Sequence, residues 1–238
     1  MADDIYGPSI PHLKGNTVRR KIQHLEPVRI TSVPKTILDK YKEIKICCDL
    51  MHINGIVFLN TISRHIMFAI GSMTKNRKIE NMANGITQVH KLYLQCGFKT
   101  THMHTDCEFE PLRKEMNALG INLNFASKKE HVPEIERFVR TVKERVRSAR
   151  ATMLFKQISK LIIRHLVVSA IFWINEFPLS IPGAGLSDTK GPGQLILVNT
   201  VNYKNVFRLQ PGEYFQVHQE DEPRNKISMD RNVGAIAL

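Results

Sequence analysis

Between Ile44 and Gly71 three short β-type runs follow one another, IKICCDLM, GIVFLNTI and HIMFAIG, separated only by HIN and SR. Separators this short leave no room for a crossover, so consecutive runs must pair antiparallel as a meander. Side chains alternate along a strand. In the first run Lys45, Cys47, Asp49 and Met51 therefore share one face, and Ile44, Ile46 and Cys48 share the other.

Beyond the meander the period changes. Ile79, Met82, Ile86, Val89 and Tyr93 recur every three or four residues, which predicts a helix, although Gly85 weakens it. KTTHMHTD reads as a strand ending at Asp106, PLRKEMNALG as a helix stopped by Gly120, and INLNFAS as another strand. Helices follow from about Val132 to Met153 and from about Ile158 to Phe177, before Pro178. The expected fold is α/β: a five-stranded mixed sheet, three antiparallel strands and then parallel ones, flanked by helices in the ribonuclease-H-like order.

Three regions follow from the composition along the chain. Residues 1–38 are rich in Pro, Gly and basic side chains, and read as a basic irregular leader. Residues 39–180 hold the predicted strands and helices of the core. Residues 181–238 turn to Gly and Pro and then to the short β-like runs LILV, YFQVH and VGAIAL, a β-rich segment that reads as truncated or as a fragment of a longer polyprotein.

Charge narrows the partner class. Lys and Arg number 34 against 22 Asp and Glu, a formal net charge of +12, which predicts a polyanion. The excess is concentrated: Arg137 to Arg150 holds six basic residues against Glu144 alone. The opening residues lack the apolar run of a signal peptide, and Arg164 and His165 interrupt the most apolar stretch, so neither secretion nor a membrane span is expected. Cys47, Cys48, Cys96 and Cys107 form no CxxC pair, which argues against zinc and against a disulfide framework. The expectation is an intracellular protein with reduced, mostly buried thiols.

Asp49 lies midway along the first strand, Asp106 at the end of the fourth, and Glu136 on the helix after the fifth, at intervals of 57 and 30 positions. This topology would bring the three together. Two divalent ions roughly 3.5–4 Å apart need carboxylate oxygens to bridge them, and such hard ligands favour Mg²⁺ or Mn²⁺. Two unpaired carboxylates about 4 Å apart repel by about 4 kcal/mol at an effective dielectric of 20, so the cluster calls for cations or protons. Arg140, Lys143, Arg147 and Arg150 follow Glu136 on the same helical face, a row of phosphate contacts beside a metal ligand. Ile135, Val139, Val142 and Val146 form the apolar stripe toward the core. The plainer alternative is a solvated face on which Glu136 and Arg140 pair, worth about 0.3–0.5 kcal/mol.

These residues also match a family pattern. TDCEFEPL resembles the second-Asp motif of copia-type retrotransposon integrases, with Glu110 on the motif's later Glu. HVPEIERFVRTV resembles the segment that carries the catalytic Glu, here Glu136 with Arg137 and Arg140, and ICCDLMHINGIVFLNTISRHIMFAI resembles the first-Asp hairpin. LVVSAIFWINEFP is similar to the helix after the core, and the resemblance covers roughly residues 40–180. It implies that Asp49, Asp106 and Glu136 bind two Mg²⁺ or Mn²⁺ ions for DNA strand transfer, joining element ends to target DNA. It implies a homo-oligomer as well, in the nucleus or a virus-like particle. Cys107 and Glu108 stand where the motif has Asn-Gly, the Asp106 to Glu136 interval is shorter than usual, and KKEHVPE replaces a Gln/Asn/Gly-rich loop.

Lys128 and Lys129, with Arg137, complete the expected DNA contacts. His102, His104 and His131 lie near the acids and read as surface or core residues, and Phe172 and Trp173 read as packing. Two other functions compete with strand transfer: a degenerate retroelement remnant that only binds nucleic acid, and a nuclease acting on RNA in hybrids.

Overall fold

The structure, a computed structural model, describes residues 33–126, 132–153, 156–179, 186–197, 213–218 and 232–237. Strands β1 (Glu43–Ile53), β2 (Ile56–Ser63) and β3 (Ala69–Thr74) pair antiparallel. Strand β4 (Lys99–Thr105) lies parallel to β1, and β5 (Asn122–Phe125) parallel to β4, giving the order β3-β2-β1-β4-β5. This is the ribonuclease-H-like arrangement that the sequence predicts.

Asn54 and Gly55 make the first turn, both at positive φ (48° and 77°), which is the geometry that lets two residues join twisted antiparallel strands. The second turn is less legible. His65 and Met67 both adopt left-handed φ (68° and 61°), so the strand expected from His65 begins only at Ala69. No glycine announces this backbone, although His adopts it more readily than most residues.

Helix α1 (Lys35–Tyr41) covers the last part of the stretch read as irregular leader. Helix α2 (Ile79–Gln95) buries Met82, Ile86, Val89 and Tyr93 against Ile44, Ile46, Cys48 and Leu50 of β1 in one core cluster. Each such side chain contributes about 1.5–3 kcal/mol when fully buried. Gly85 is explained by this packing: a Cβ there would stand 2.5 Å from Leu59 Cδ2. The residue that weakens the helix allows it to approach the sheet. After β4 a 3₁₀ turn, Cys107–Leu112, leads into the short helix α3 (Arg113–Ala118), and Gly120 at φ 76° ends the expected helical segment.

Helix α4 (Pro133–Ala151) packs on β1 and β2, whose Cys47, Asp49 and Met51 lie on the opposite alternation from Ile46 and Cys48. Its buried row is Ile135, Phe138, Val142 and Val146, so Phe138 takes the place expected of Val139. Helix α5 (Lys160–Glu176) packs against α4 and β3; the Ser159 hydroxyl accepts the Ile162 N–H and caps its start. The LILV run was expected to be a strand, yet Leu195 and Ile196 end helix α6 (Pro192–Ile196). Pro192 in the first turn has the fixed φ of a helix start. Gly191 lets that turn touch α5, since a Cβ would fall 2.4 Å from the Asn175 carbonyl oxygen.

A separate two-stranded antiparallel sheet consists of β6 (Tyr214–His218) and β7 (Asn232–Ile236). Among the described residues no helix is long and apolar enough to cross a membrane.

Candidate active site and nucleic-acid interface

Asp49 sits midway along β1, half-buried, with its Oδ1 accepting the Leu50 N–H at 2.7 Å. Across the strand pair it faces Asn60 of β2, a wholly buried side chain. Asn60 Nδ2 donates to the Phe58 carbonyl at 3.2 Å while its Oδ1 is buried without a partner among the described residues. The sequence reading missed Asn60, because only the strand register reveals that it stands opposite the aspartate.

Asp106 follows β4 in extended backbone and is exposed, and Glu136 lies exposed in the first turn of α4. Asp49 and Glu136 line one open cleft of about 340 Å³. Burial raises the Asp49 carboxyl above the ordinary carboxylate range. The Leu50 N–H opposes that shift, and the charges of Asp106, Glu136 and Glu108 add to it. Asp49 thus feels the charge of both other predicted acids, while Asp106 is not among the described residues that line the cleft. Among the described residues no three His, Cys, Asp or Glu side chains stand close enough to form a metal cage.

Carboxylate oxygens are the hard donors that a divalent cation prefers, and a cation beside Asp49 would offset the burial and the neighbouring negative charges that disfavour its ionised form.

The basic row also falls where the helical spacing predicts. Arg140, Lys143 and Arg147 line the cleft with Asp49 and Glu136, and Val139 forms part of its wall. Arg150 continues the row and donates from Nη2 to the Lys156 carbonyl at 3.0 Å. Arg137 does not line the cleft; its Nε donates to the Pro133 carbonyl at 3.4 Å. Lys128, Lys129 and His131 lie outside the described residues.

Sequence reasoning missed a second polar group on the same sheet. Arg64, after β2, forms an ion pair with Glu134 of the first turn of α4 at 2.9 Å, and its Nη1 lies 3.4 Å from His104 Nε2. A guanidinium can only donate, so that imidazole nitrogen accepts. Burial first, and then Arg64, hold His104 below the usual imidazole range. Beside it, burial and then the Glu134 charge push the Cys47 thiol up to about 11, so Cys47 is a packed thiol and no nucleophile. His102 is half-buried with Nδ1 3.1 Å from Thr101 Oγ1. The ion pair anchors the start of the helix that carries Glu136. Near Asp106, Glu108 forms an ion pair with Arg77.

No protein-family model matches the sequence, and no curated protein matches it. Among solved structures the chain is similar to the catalytic core domain of BIV integrase, at 15% identity over 65% of this chain and 93% of that one, with a TM-score of 0.44. It is also similar to the HTLV-2 integrase catalytic core domain in complex with magnesium, in a trimeric form. There the identity is 13% over 64% of this chain and 95% of that one, with a TM-score of 0.46.

Proposed function

We propose that the chain is an integrase-type polynucleotidyl transferase that joins the 3′ ends of element DNA to target DNA. In this reading Asp49, Asp106 and Glu136 hold Mg²⁺ or Mn²⁺, two ions per site. The observation that carries it is a single cleft with Asp49 and Glu136 in its wall and Arg140, Lys143 and Arg147 beside them. Carboxylates alone would repel a phosphodiester; a row of cations next to them brings one in.

When bound, the divalent ions supply charge neutralisation at the phosphate and a more acidic attacking hydroxyl. The chain's own contribution is position. The Leu50 N–H holds the Asp49 carboxylate, the first turn of α4 presents Glu136, and the cationic row holds the polyanion in register. Lys128, Lys129 and Arg137 extend the DNA contacts. The likeness of TDCEFEPL and HVPEIERFVRTV to copia-type integrase motifs supports DNA as the substrate, and a nuclear or particle location with it. Joining two ends calls for a homo-oligomer. Leu161, Val168 and Phe172, exposed along one side of α5, supply an apolar row suited to self-association.

The test is a strand-transfer assay with labelled element-end DNA and Mg²⁺ or Mn²⁺. Asp106→Asn should abolish joining and leave the melting transition unchanged, whereas joining retained by that variant overturns the reading. A second reading, a remnant that only binds DNA, is favoured by Cys107 and Glu108 in the motif and by the pairing of Glu108 with Arg77. It predicts salt-dependent DNA binding with no heat of Mg²⁺ binding in calorimetry.

A further inference from the structure

A second pocket, of about 250 Å³, lies where the β1–β2 turn, the C-terminal half of α4 and the start of α5 meet. Its floor is apolar: Val146 and Ile163 are buried, and Ile53 and Ile158 are half-buried. Its rim is cationic, with Lys143, Arg147 and Arg150, and among the described residues no acidic side chain lines it. At a liquid volume of about 30 Å³ per water, the space would take roughly eight waters, which is room for a ring system. Water alone would be poorly placed over four aliphatic side chains.

Lys143 and Arg147 line this pocket and the acid cleft alike, so the two are adjoining stations on one path. A helical rise of 1.5 Å per residue spreads Arg140 to Arg150 over about 15 Å. One strand at about 3.4 Å per phosphate places some four nucleotides along that length. A flush duplex keeps its bases stacked inside and offers no apolar group to the floor. An unpaired nucleotide offers both a ring for the floor and a phosphate for the rim. The turn adds two polar edges: His52, exposed, can stack on a ring, and Asn54, fixed at φ 48°, carries an amide able to pair with a base edge.

We propose that this pocket takes one unpaired nucleobase of a DNA strand whose phosphates lie on Lys143, Arg147 and Arg150, so that the chain prefers a frayed or overhanging end to a flush one. The proposal rests on the DNA-binding half of the reading above and is independent of metal and catalysis.

Fluorescence anisotropy in EDTA tests it, with one duplex carried flush, with a three-nucleotide overhang, and with an overhang of equal length that lacks bases. The protein should bind the base-bearing overhang about tenfold tighter than the other two ligands, at equal salt. Ile158→Trp, which fills the pocket without adding charge, should erase that preference and keep the flush-duplex affinity and salt slope. Equal affinity for flush and base-bearing ends gives the pocket to another occupant, such as an acidic apolar peptide, and overturns the proposal. So does a preference that survives in Ile158→Trp or with the baseless overhang. Failure of strand transfer in the joining assay leaves this binding result standing, which separates the two.

Discussion

Asn175 closes the outer edge of β3: its Nδ2 donates to the Ala69 carbonyl at 2.7 Å and its Oδ1 accepts the Ala69 N–H at 2.9 Å. One side chain of α5 thereby supplies the pair of hydrogen bonds that a further strand would have made, at a position where, among the described residues, β3 has no strand beyond it. Edge strands left open invite pairing with other chains.

Asn175→Ala leaves a buried N–H and a buried carbonyl without partners, and each such group costs about 1–3 kcal/mol. We expect a loss of about 2–6 kcal/mol in urea unfolding. Asn175→Asp should not restore it, since a carboxylate cannot donate to the Ala69 carbonyl. A loss within about 0.5 kcal/mol, the range of ordinary surface changes, would contradict this role.

The Arg64–Glu134 pair should show coupling. Both side chains remain about a third exposed, at 32% and 27%, so screening keeps the interaction modest. A double-mutant cycle with Arg64→Ala and Glu134→Ala should give a coupling energy of about 1 kcal/mol, and strictly additive losses would sink the anchoring role of this pair.

Divalent metal should stabilise the protein through Asp49. At about 100 times its dissociation constant, Mg²⁺ adds about 2.7 kcal/mol, which raises the melting temperature by several degrees. Asp49→Asn should melt higher than the parent in EDTA, since burial and neighbouring carboxylates disfavour the aspartate charge, and should not respond to Mg²⁺. An unchanged Mg²⁺ response in the variant would exclude Asp49 as a ligand.

Glu176 predicts a pH dependence. It is buried at the end of α5, with Gln194 Nε2 donating to its Oε2 at 3.4 Å, and burial raises its carboxyl above the ordinary 4.5 in spite of that bond. A raised acid binds its proton more tightly folded than unfolded. Its stabilising contribution is therefore complete below 4.5 and is lost as pH rises through the folded value. Glu176→Gln should remove this decline, seen as a flatter urea midpoint between about pH 4 and 7. Parallel profiles for the two proteins would refute the assignment.

The sheet was legible because separators as short as HIN and SR permit only a meander, and because helical periods mark the crossovers. What escaped was decided by the backbone or by distance. His65 and Met67 turn left-handed without any glycine to signal it, and Phe138 rather than Val139 faces the core because of how α4 rolls on the sheet. Arg64 and Glu134 are 70 positions apart, and nothing local couples them. Strand and helix order put Asp49 and Glu136 on the elements whose side chains share a cleft, while the pairing of Asp49 with Asn60 needed the strand register.

The cysteines divide in a way that gives an experimental handle. Cys107 is exposed one residue after Asp106, whereas Cys47 and Cys48 are buried, with burial holding both thiols well above their ordinary range; Cys96 is half-buried and also raised. Because thiolates are the species that maleimides attack, a reagent of that class should label Cys107 first. A fluorophore placed there would sit next to the second aspartate and report, through its brightness, whether a nucleic acid strand binds beside it.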